Sequence, residues 1–551
     1  MITRSPNDAI KNLWQKIPMN IRVAFSSAFC IGLFTHLFMF TNTLPNHDEL
    51  ISLVGNLEWA TSVNGRWFLS YAATISSIFS MPWVNGLLSI IYLSIAVCLI
   101  ISTLRVEGYL YIVLISGVVI TMPSIAGIFT YMQHAAPFLL SVMLACLAAF
   151  LAERYKYGFI FAIIPVVLSL AIYQSFFSTT VAILILVLIL DVLNNQTSWQ
   201  KILLKGVRFV STLAAGIVIY LVSVRIFYPD GLSYYQGLDR MGRLPLLELP
   251  NRIITAYREI IKFFVIDSRN FHYSFMNIIF VLAFVACAIL IVLWIIRKKI
   301  YKEPIKLLLL GALLVLFPLG CNIIYVMGPT LVHDLMIFEV VFILVFLLIM
   351  ADLYHKEKDE ESEDDAVEVK SKKMLYAKIA RISTWVITLA MTLTIFNYWI
   401  VSNQVYFKLN IAYQTTYAQS ILLVSRIQNT PGYSYDKDIF LVGVPHVPQG
   451  IAELEQITIT GAKGPELFGN WYYTYFLKYY LNFTQRVIYL YNGIQLVNCD
   501  ELAKMLREMP IYPDYGSIAI LDGVIYVRFA YIDECCWEFW PYEKPTCCIV
   551  Y

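Results

Sequence analysis

Long apolar runs nearly free of charge recur along this chain, separated by short polar connections, and they limit what it can fold into. A helix needs about 20 mainly apolar residues to cross about 30 Å of hydrocarbon. Eleven segments approach that length, near 21–41, 84–104, 108–122, 134–152, 158–173, 176–193, 207–227, 275–296, 306–326, 333–351 and 382–402. Only 14% of the residues are charged and 59% are hydrophobic, where soluble domains carry about 25% charge. A soluble chain this poor in charge could not cover its surface. That excludes an ordinary cytosolic enzyme and a disordered chain. A net charge of +2 also excludes nucleic-acid binding driven by bulk charge. The sequence predicts a mainly α, polytopic transmembrane bundle of about 11 spans. Residues 1–20 do not read as a secretory signal, because the apolar run from Ile21 is too long and no small-residue cleavage pattern follows.

Lys and Arg in short connections predict orientation. Arg4, Lys11, Lys16 and Arg22 share one side with Arg105, with Arg154 and Lys156, and with Lys201, Lys205 and Arg208. Arg297, Lys298, Lys299, Lys302 and Lys306 join them, as do Lys370, Lys372, Lys373 and Lys378. This side is expected to be cytoplasmic, N-terminus included. The other side receives segment 42–83, a turn near 123–133, a large loop 228–274, a turn near 327–332 and everything after about residue 403. The expected domains are a bundle over 1–402 and an extracytoplasmic α/β domain over 403–551. A cytoplasmic linker spans 352–381, and its mixed charge run 355–373 reads as disordered. The tail shows helical periodicity over Tyr406–Ile427 and a short helix over 500–508. Strands are expected over Ile439–Val444, Ile457–Ile459 and Val487–Tyr491, with a hairpin Ser517–Ile520/Val524–Phe529 turning at Asp522-Gly523. Cys30, Cys98, Cys146, Cys287 and Cys321 lie in apolar spans. Cys535, Cys536, Cys547 and Cys548 form two vicinal pairs in the tail beside Cys499. Disulfides, free or lipid-modified thiols and a metal site are all open to them, although adjacent thiols suit a single zinc ion badly.

Chemistry is sought first after the first span, at Asn46-His47-Asp48-Glu49-Leu50. Charge at a membrane boundary is costly unless used or solvated, and a carboxylate there can deprotonate an acceptor hydroxyl. The same residues also read as a solvated loop in which Asp48 caps a helix over Glu49–Leu57. Gly65-Arg66-Trp67-Phe68 follows. Arg66 suits a phosphate, and the aromatics equally suit simple anchoring in the interface. Residues 57–81 read as an amphipathic helix lying on the membrane. Tyr131-Met132-Gln133-His134, Tyr173-Gln174-Ser175, Ser233-Tyr234-Tyr235-Gln236-Gly237-Leu238-Asp239-Arg240 and His333-Asp334 are expected on the same face. Each is individually an ordinary interfacial group, and together they have the Tyr, Gln and Asp composition of a sugar site. No Walker A loop, H-E-x-x-H or G-x-S-x-G occurs, and the cytoplasmic loops lack D-x-D. A donor used on the outer face cannot be a nucleotide sugar, whereas a polyprenyl-phosphate sugar meets that demand.

The ordered set His47-Asp48-Glu49, Gly65-Arg66-Trp67, Met81-Pro82-Trp83-Val84-Asn85-Gly86, Pro123-Ser124, Tyr131-Met132 and Ile172-Tyr173-Gln174 continues with Ser233–Asp239 and with Tyr325-Val326-Met327-Gly328 ahead of His333. Over roughly 20–350 it resembles the Gtr-type serotype-converting O-antigen glucosyltransferases, within the GT-C class of polytopic glycosyltransferases. The resemblance implies inverting transfer from undecaprenyl-phosphate glucose to a surface polysaccharide such as O-antigen, at a bacterial cytoplasmic membrane. It implies Asp48 as general base, with Glu49 supporting it or binding the acceptor, and Arg66 at the donor phosphate. His47, Trp67, Tyr131, His134, Tyr173, Gln174, Tyr235, Gln236, Asp239 and His333 would contact the substrates. The expected partners are the lipid-linked donor, the polysaccharide acceptor and the bilayer, with no nucleic acid, cofactor or metal. Two other readings stay open: a flippase or transporter for lipid-linked sugar, and an O-antigen polymerase. A transporter would need charges inside the bundle, for which Arg225 is nearly the sole candidate among the apolar spans.

Overall fold

In a bilayer no water satisfies backbone amides, so the chain must close its hydrogen bonds within helices or a sealed barrel. The computed structural model describes residues 5–54, 64–232, 247–266, 271–327, 332–356, 367–443, 456–462, 473–490, 504–506 and 508–529. Among the described residues, nine helices are long and apolar enough to cross a membrane: Met19–Thr41, Pro82–Leu104, Met132–Arg154, Gln174–Asn194, Trp199–Phe227, Met276–Arg297, Pro304–Cys321, Phe338–Lys356 and Met374–Gln428. The expected mainly α, polytopic bundle is present.

The two remaining expected segments are helical over the expected residues. Segment 108–122 is the helix Tyr109–Thr121, and Pro123–Phe129, where a turn was expected, is a second helix bent by 45° from it. The cause is local. A residue before proline is driven out of helical geometry, and Met122 sits at φ −49°, ψ 125°. Segment 158–173 becomes Gly158–Phe161 and Ile163–Ile172, shorter than a bilayer requires. Extended backbone at Tyr173 (φ −155°, ψ 112°) ends it. The amphipathic helix expected over 57–81 does not form in its described part. There the helical turns are Leu69–Ala73 and Thr74–Ser76, bounded by Gly65 and Ser77, both at positive φ. The expected disordered run 355–373 is helical at both ends: one helix reaches Lys356 and the next starts at Val367. That second helix continues to Gln428 with no proline or glycine inside it, and Pro431-Gly432 follow its end.

The chain divides into two compact units. The first comprises Met1–Thr43 and Gly55–Gln404. Its helices approach closely where side chains are small: a β-carbon on Gly86 would collide with the Phe40 ring. One end of this bundle carries a charged network. Arg105 pairs with Glu153 at 3.0 Å, and Lys205 pairs with Glu153 and, at 2.7 Å, with Asp191. Lys306 Nζ donates to Asn195 Oδ1 at 2.6 Å. Asp352, buried, accepts from the Gly108 and Glu107 amides and pairs with Lys356 at 3.3 Å. The buried charges of this network, Glu153, Lys306 and Asp352, are each partnered, as a low-dielectric setting demands.

The second unit comprises Leu44–Val54 and Val405–Tyr551. Its sheet has the order β2-β1-β4-β3, with β1 Ile439–Val442, β2 Val487–Leu490, β3 Ile518–Leu521 and β4 Val524–Arg528. β1 runs parallel to β2 and β4, and β3 pairs antiparallel with β4. The expected hairpin forms, with Asp522 and Gly523 at φ 49° and 80°. A turn with positive φ at both central residues matches the twist of the flanking strands. Ile457–Ile459, expected as a strand, lies outside the sheet. The Ile457 carbonyl accepts from Lys408 Nζ and the Ile459 carbonyl closes a turn to the Ala462 amide, so both leave the ladder. Of the expected helix 500–508, residues 504–506 and 508 are described and are helical. The sheet and the Tyr473–Leu481 helix enclose a core of Leu423, Ile427, Leu441, Phe476, Ile525 and Val527.

Candidate functional site

The acidic turn belongs to the second unit. Asn46 Oδ1 accepts the Glu49 amide at 2.9 Å and caps the helix His47–Ser52. Asn46, not Asp48, is therefore the cap, and this helix ends at Ser52; residues 55–57 of the expected run lie outside the described residues. Asp48 and Glu49 fill its first turn, where carboxylates oppose the positive end of the helix dipole. Leu50, fully buried, packs into the core around Leu423 and Phe476. Anchoring that face divides the pair. Asp48 keeps 36% of its side chain exposed, with His47 Nε2 3.4 Å from Oδ1. Glu49 is 2% exposed. Burial and the charge of Glu49 push the Tyr480 phenol well above its ordinary value.

A second group lies in the bundle. Gly65, at φ +72°, turns the chain where a β-carbon would lie 2.8 Å from Tyr220 Oη. Tyr220 Oη donates to the Gly65 carbonyl at 3.1 Å. Gln174 Nε2 donates to the Asn64 carbonyl and to Tyr220 Oη, each at 2.9 Å. Phe68 N bonds the Ala171 carbonyl at 3.0 Å. Trp67 Nε1 donates to Ser223 Oγ at 2.9 Å and its ring stacks on Phe227 at 4.7 Å. These contacts hold Arg66 with its guanidinium 4.5 Å from the centre of the Tyr173 ring, a cation–π arrangement. Phe138 packs on Tyr173 at 4.4 Å and His134 stacks on Phe138 at 5.6 Å. Tyr228 completes the surroundings: burial pushes its phenol up to about 12, against the lowering effect of Arg66.

The structure thus brings Arg66, Trp67, His134, Tyr173 and Gln174 together, though they come from three separate stretches of chain. Tyr131 adjoins them at the start of the Met132–Arg154 helix, its carbonyl bonded to the His134 amide at 2.9 Å. His333 stands at the start of the turn Asp334–Met336, which packs on Pro123–Phe129. Tyr235, Gln236 and Asp239 lie outside the described residues, as do Cys535, Cys536, Cys547 and Cys548.

Glu339 was not singled out by sequence reasoning. It is fully buried at the start of the Phe338–Lys356 span and accepts from Thr179 Oγ1 at 2.9 Å. Arg225, the internal charge the sequence suggested, is exposed in the last turn of its helix. An ionisable group inside a membrane bundle is expensive and marks function by default. The available signal was a lone acid within the apolar run after His333.

Comparison with curated proteins gives no match. The stretch that holds Asp48, the Arg66 group and Glu339 falls within residues 37–351, which match the family model described as Glucosyl transferase GtrII. That match spans more than half of the chain, and the chain belongs to this glucosyl transferase family.

Proposed function

We propose that this membrane glycosyltransferase takes glucose from undecaprenyl-phosphate glucose. It attaches the sugar, with inversion, to a surface polysaccharide such as O-antigen on the outer face of the bacterial cytoplasmic membrane. The observation that carries the reading is Arg66, fixed over Tyr173 and ringed by hydrogen-bonding side chains inside the stretch that matches the family. A guanidinium suits a phosphate oxygen geometrically. Away from bulk water it stabilises charge as it develops on a leaving group.

In this reading the acceptor hydroxyl oxygen attacks the anomeric carbon of the donor. The bond from that carbon to the phosphate oxygen breaks, and its electron pair leaves on the lipid phosphate held by Arg66. The hydroxyl proton passes to the Asp48 carboxylate, which is accessible where Glu49 is not. Glu49 supports the turn that carries Asp48. Trp67, Tyr131, His134, Tyr173 and Gln174 surround the donor. His47, His333, Tyr235, Gln236 and Asp239 are assigned to the substrates by family resemblance. The N-terminus is cytoplasmic, and the domain after residue 403 faces outward with its Cys535, Cys536, Cys547 and Cys548 disulfide candidates.

The test uses purified full-length protein in liposomes with undecaprenyl-phosphate glucose and O-antigen polysaccharide. The polysaccharide should gain the mass of a hexose while lipid phosphate accumulates. Donor moved across the bilayer without being consumed would make the protein a transporter. Lengthened chains without added hexose would make it a polymerase.

A further inference from the structure

Among the described residues, the Arg66 group contains buried polar atoms that nothing satisfies. Arg66 Nε, His134 Nδ1, Gln133 Oε1 and Asn64 Oδ1 have no hydrogen-bond partner among the described residues. Buried polar atoms are normally paired, so each exception asks for an explanation. These four belong to residues already linked in space. Asn64 and Arg66 flank Gly65, and the Arg66–Tyr173–Phe138–His134 chain of ring contacts leads to the other two. Gln133 and His134 are 5% and 8% exposed, so the orphaned atoms are not facing solvent.

The hydrogen bond inside this group fixes its chemistry. Gln133 Nε2 lies 2.8 Å from His134 Nε2. An amide nitrogen only donates, so the imidazole Nε2 accepts and the proton of the neutral ring sits on Nδ1. His134 therefore offers an unused N–H in the same group of residues as the unused N–H of Arg66. Two buried donors, one on a cation, complement an oxyanion. The unused carbonyl oxygens of Gln133 and Asn64 complement hydroxyls. A phosphate bearing a sugar presents both.

We propose that His134 Nδ1 and Arg66 Nε together hold the phosphate of the sugar donor, with Gln133 as the positioning residue that sets the His134 tautomer. The inference rests on the lipid-phosphate donor of the proposed function and names the atoms that would recognise it.

The test measures binding of a short-chain polyprenyl monophosphate to purified full-length protein, together with the KM for each substrate. A hydrogen bond to a charged group is worth enough that its loss weakens binding about tenfold or more. His134→Leu and Gln133→Leu should each lose that much and raise the donor KM, with the acceptor KM unchanged. His134→Asn carries an amide N–H where Nδ1–H stood and should recover most of the binding, which a purely structural role for the ring would not allow. Thermal unfolding confirms that each variant is folded. If His134→Leu does not fold, Gln133→Leu and His134→Asn decide the matter. Unchanged binding in folded His134→Leu or Gln133→Leu, or no recovery in His134→Asn, overturns the inference. Arg66→Gln separates the two levels. If Arg66→Gln loses binding while His134→Leu keeps it, the inference falls and the donor reading stands. If Arg66→Gln binds as well as the parent, the donor reading falls with it.

Discussion

Asp48 and Glu49 are chemically near-identical neighbours in opposite surroundings. One side chain is about a third exposed and the other is buried beside Tyr480. A base must reach the proton it takes, so that work falls to Asp48 alone. Asp48→Asn should lower sugar transfer about 10²-fold or more, the usual worth of a general base. Glu49→Gln should keep most of it, because it preserves shape and hydrogen-bonding capacity. Radiolabelled transfer by folded, membrane-inserted protein checks both, and equal losses would remove the distinction. Much of the Arg66 group was legible beforehand because Arg, Gln, His and Tyr are conspicuous in apolar sequence. The burial of Glu49 was not legible, since only the fold tells which of two adjacent acids faces a core. Glu339 escaped for another reason. A lone acid in an apolar run has no periodicity, and its Thr179 partner lies 160 positions away in sequence.

Elements were legible where a local rule decides them. The Asp522-Gly523 hairpin follows from turn chemistry, and the long spans follow from apolar length. Elements failed where a single residue redirects the chain. Gly65 and Ser77, both at positive φ, bound two short helical turns where a surface helix was expected, and Pro123 starts a helix where a turn was expected. Ile457–Ile459 had strand-like residues, but its carbonyls are taken by Lys408 and a turn. The short helix His47–Ser52 is the element on which the account leans most. Six residues are too few for a helix to be stable alone, so its position depends on the Asn46 cap and the Leu50 anchor. Leu50→Ala should cost about 2–5 kcal/mol, the range for a buried leucine. It should make the segment around residues 44–54 of the full-length protein easier to cleave in limited proteolysis and lower transfer in parallel. Unchanged protease resistance would show that Leu50 does not hold the turn.

At the scale of the whole molecule, the second unit joins parts that the linear order separates. Leu44–Val54 comes from inside the family-matched stretch, and nearly everything it packs against comes from after residue 405. Sequence order could not announce this grouping, because no local pattern links Leu50 to Leu423 or Phe476. The mainly α architecture was legible from composition, since so few charges leave a chain little choice but the bilayer. The central claim is a single displacement in which lipid phosphate leaves as the polysaccharide hydroxyl attacks. The most direct measurement is the anomeric configuration of the sugar after transfer. Undecaprenyl-phosphate glucose of defined configuration is supplied to the purified protein, and the new linkage is read by nuclear magnetic resonance. Glucose attached with the opposite configuration to the donor is the predicted result. Retained configuration, or no glucose on the polysaccharide from that donor, would contradict the account.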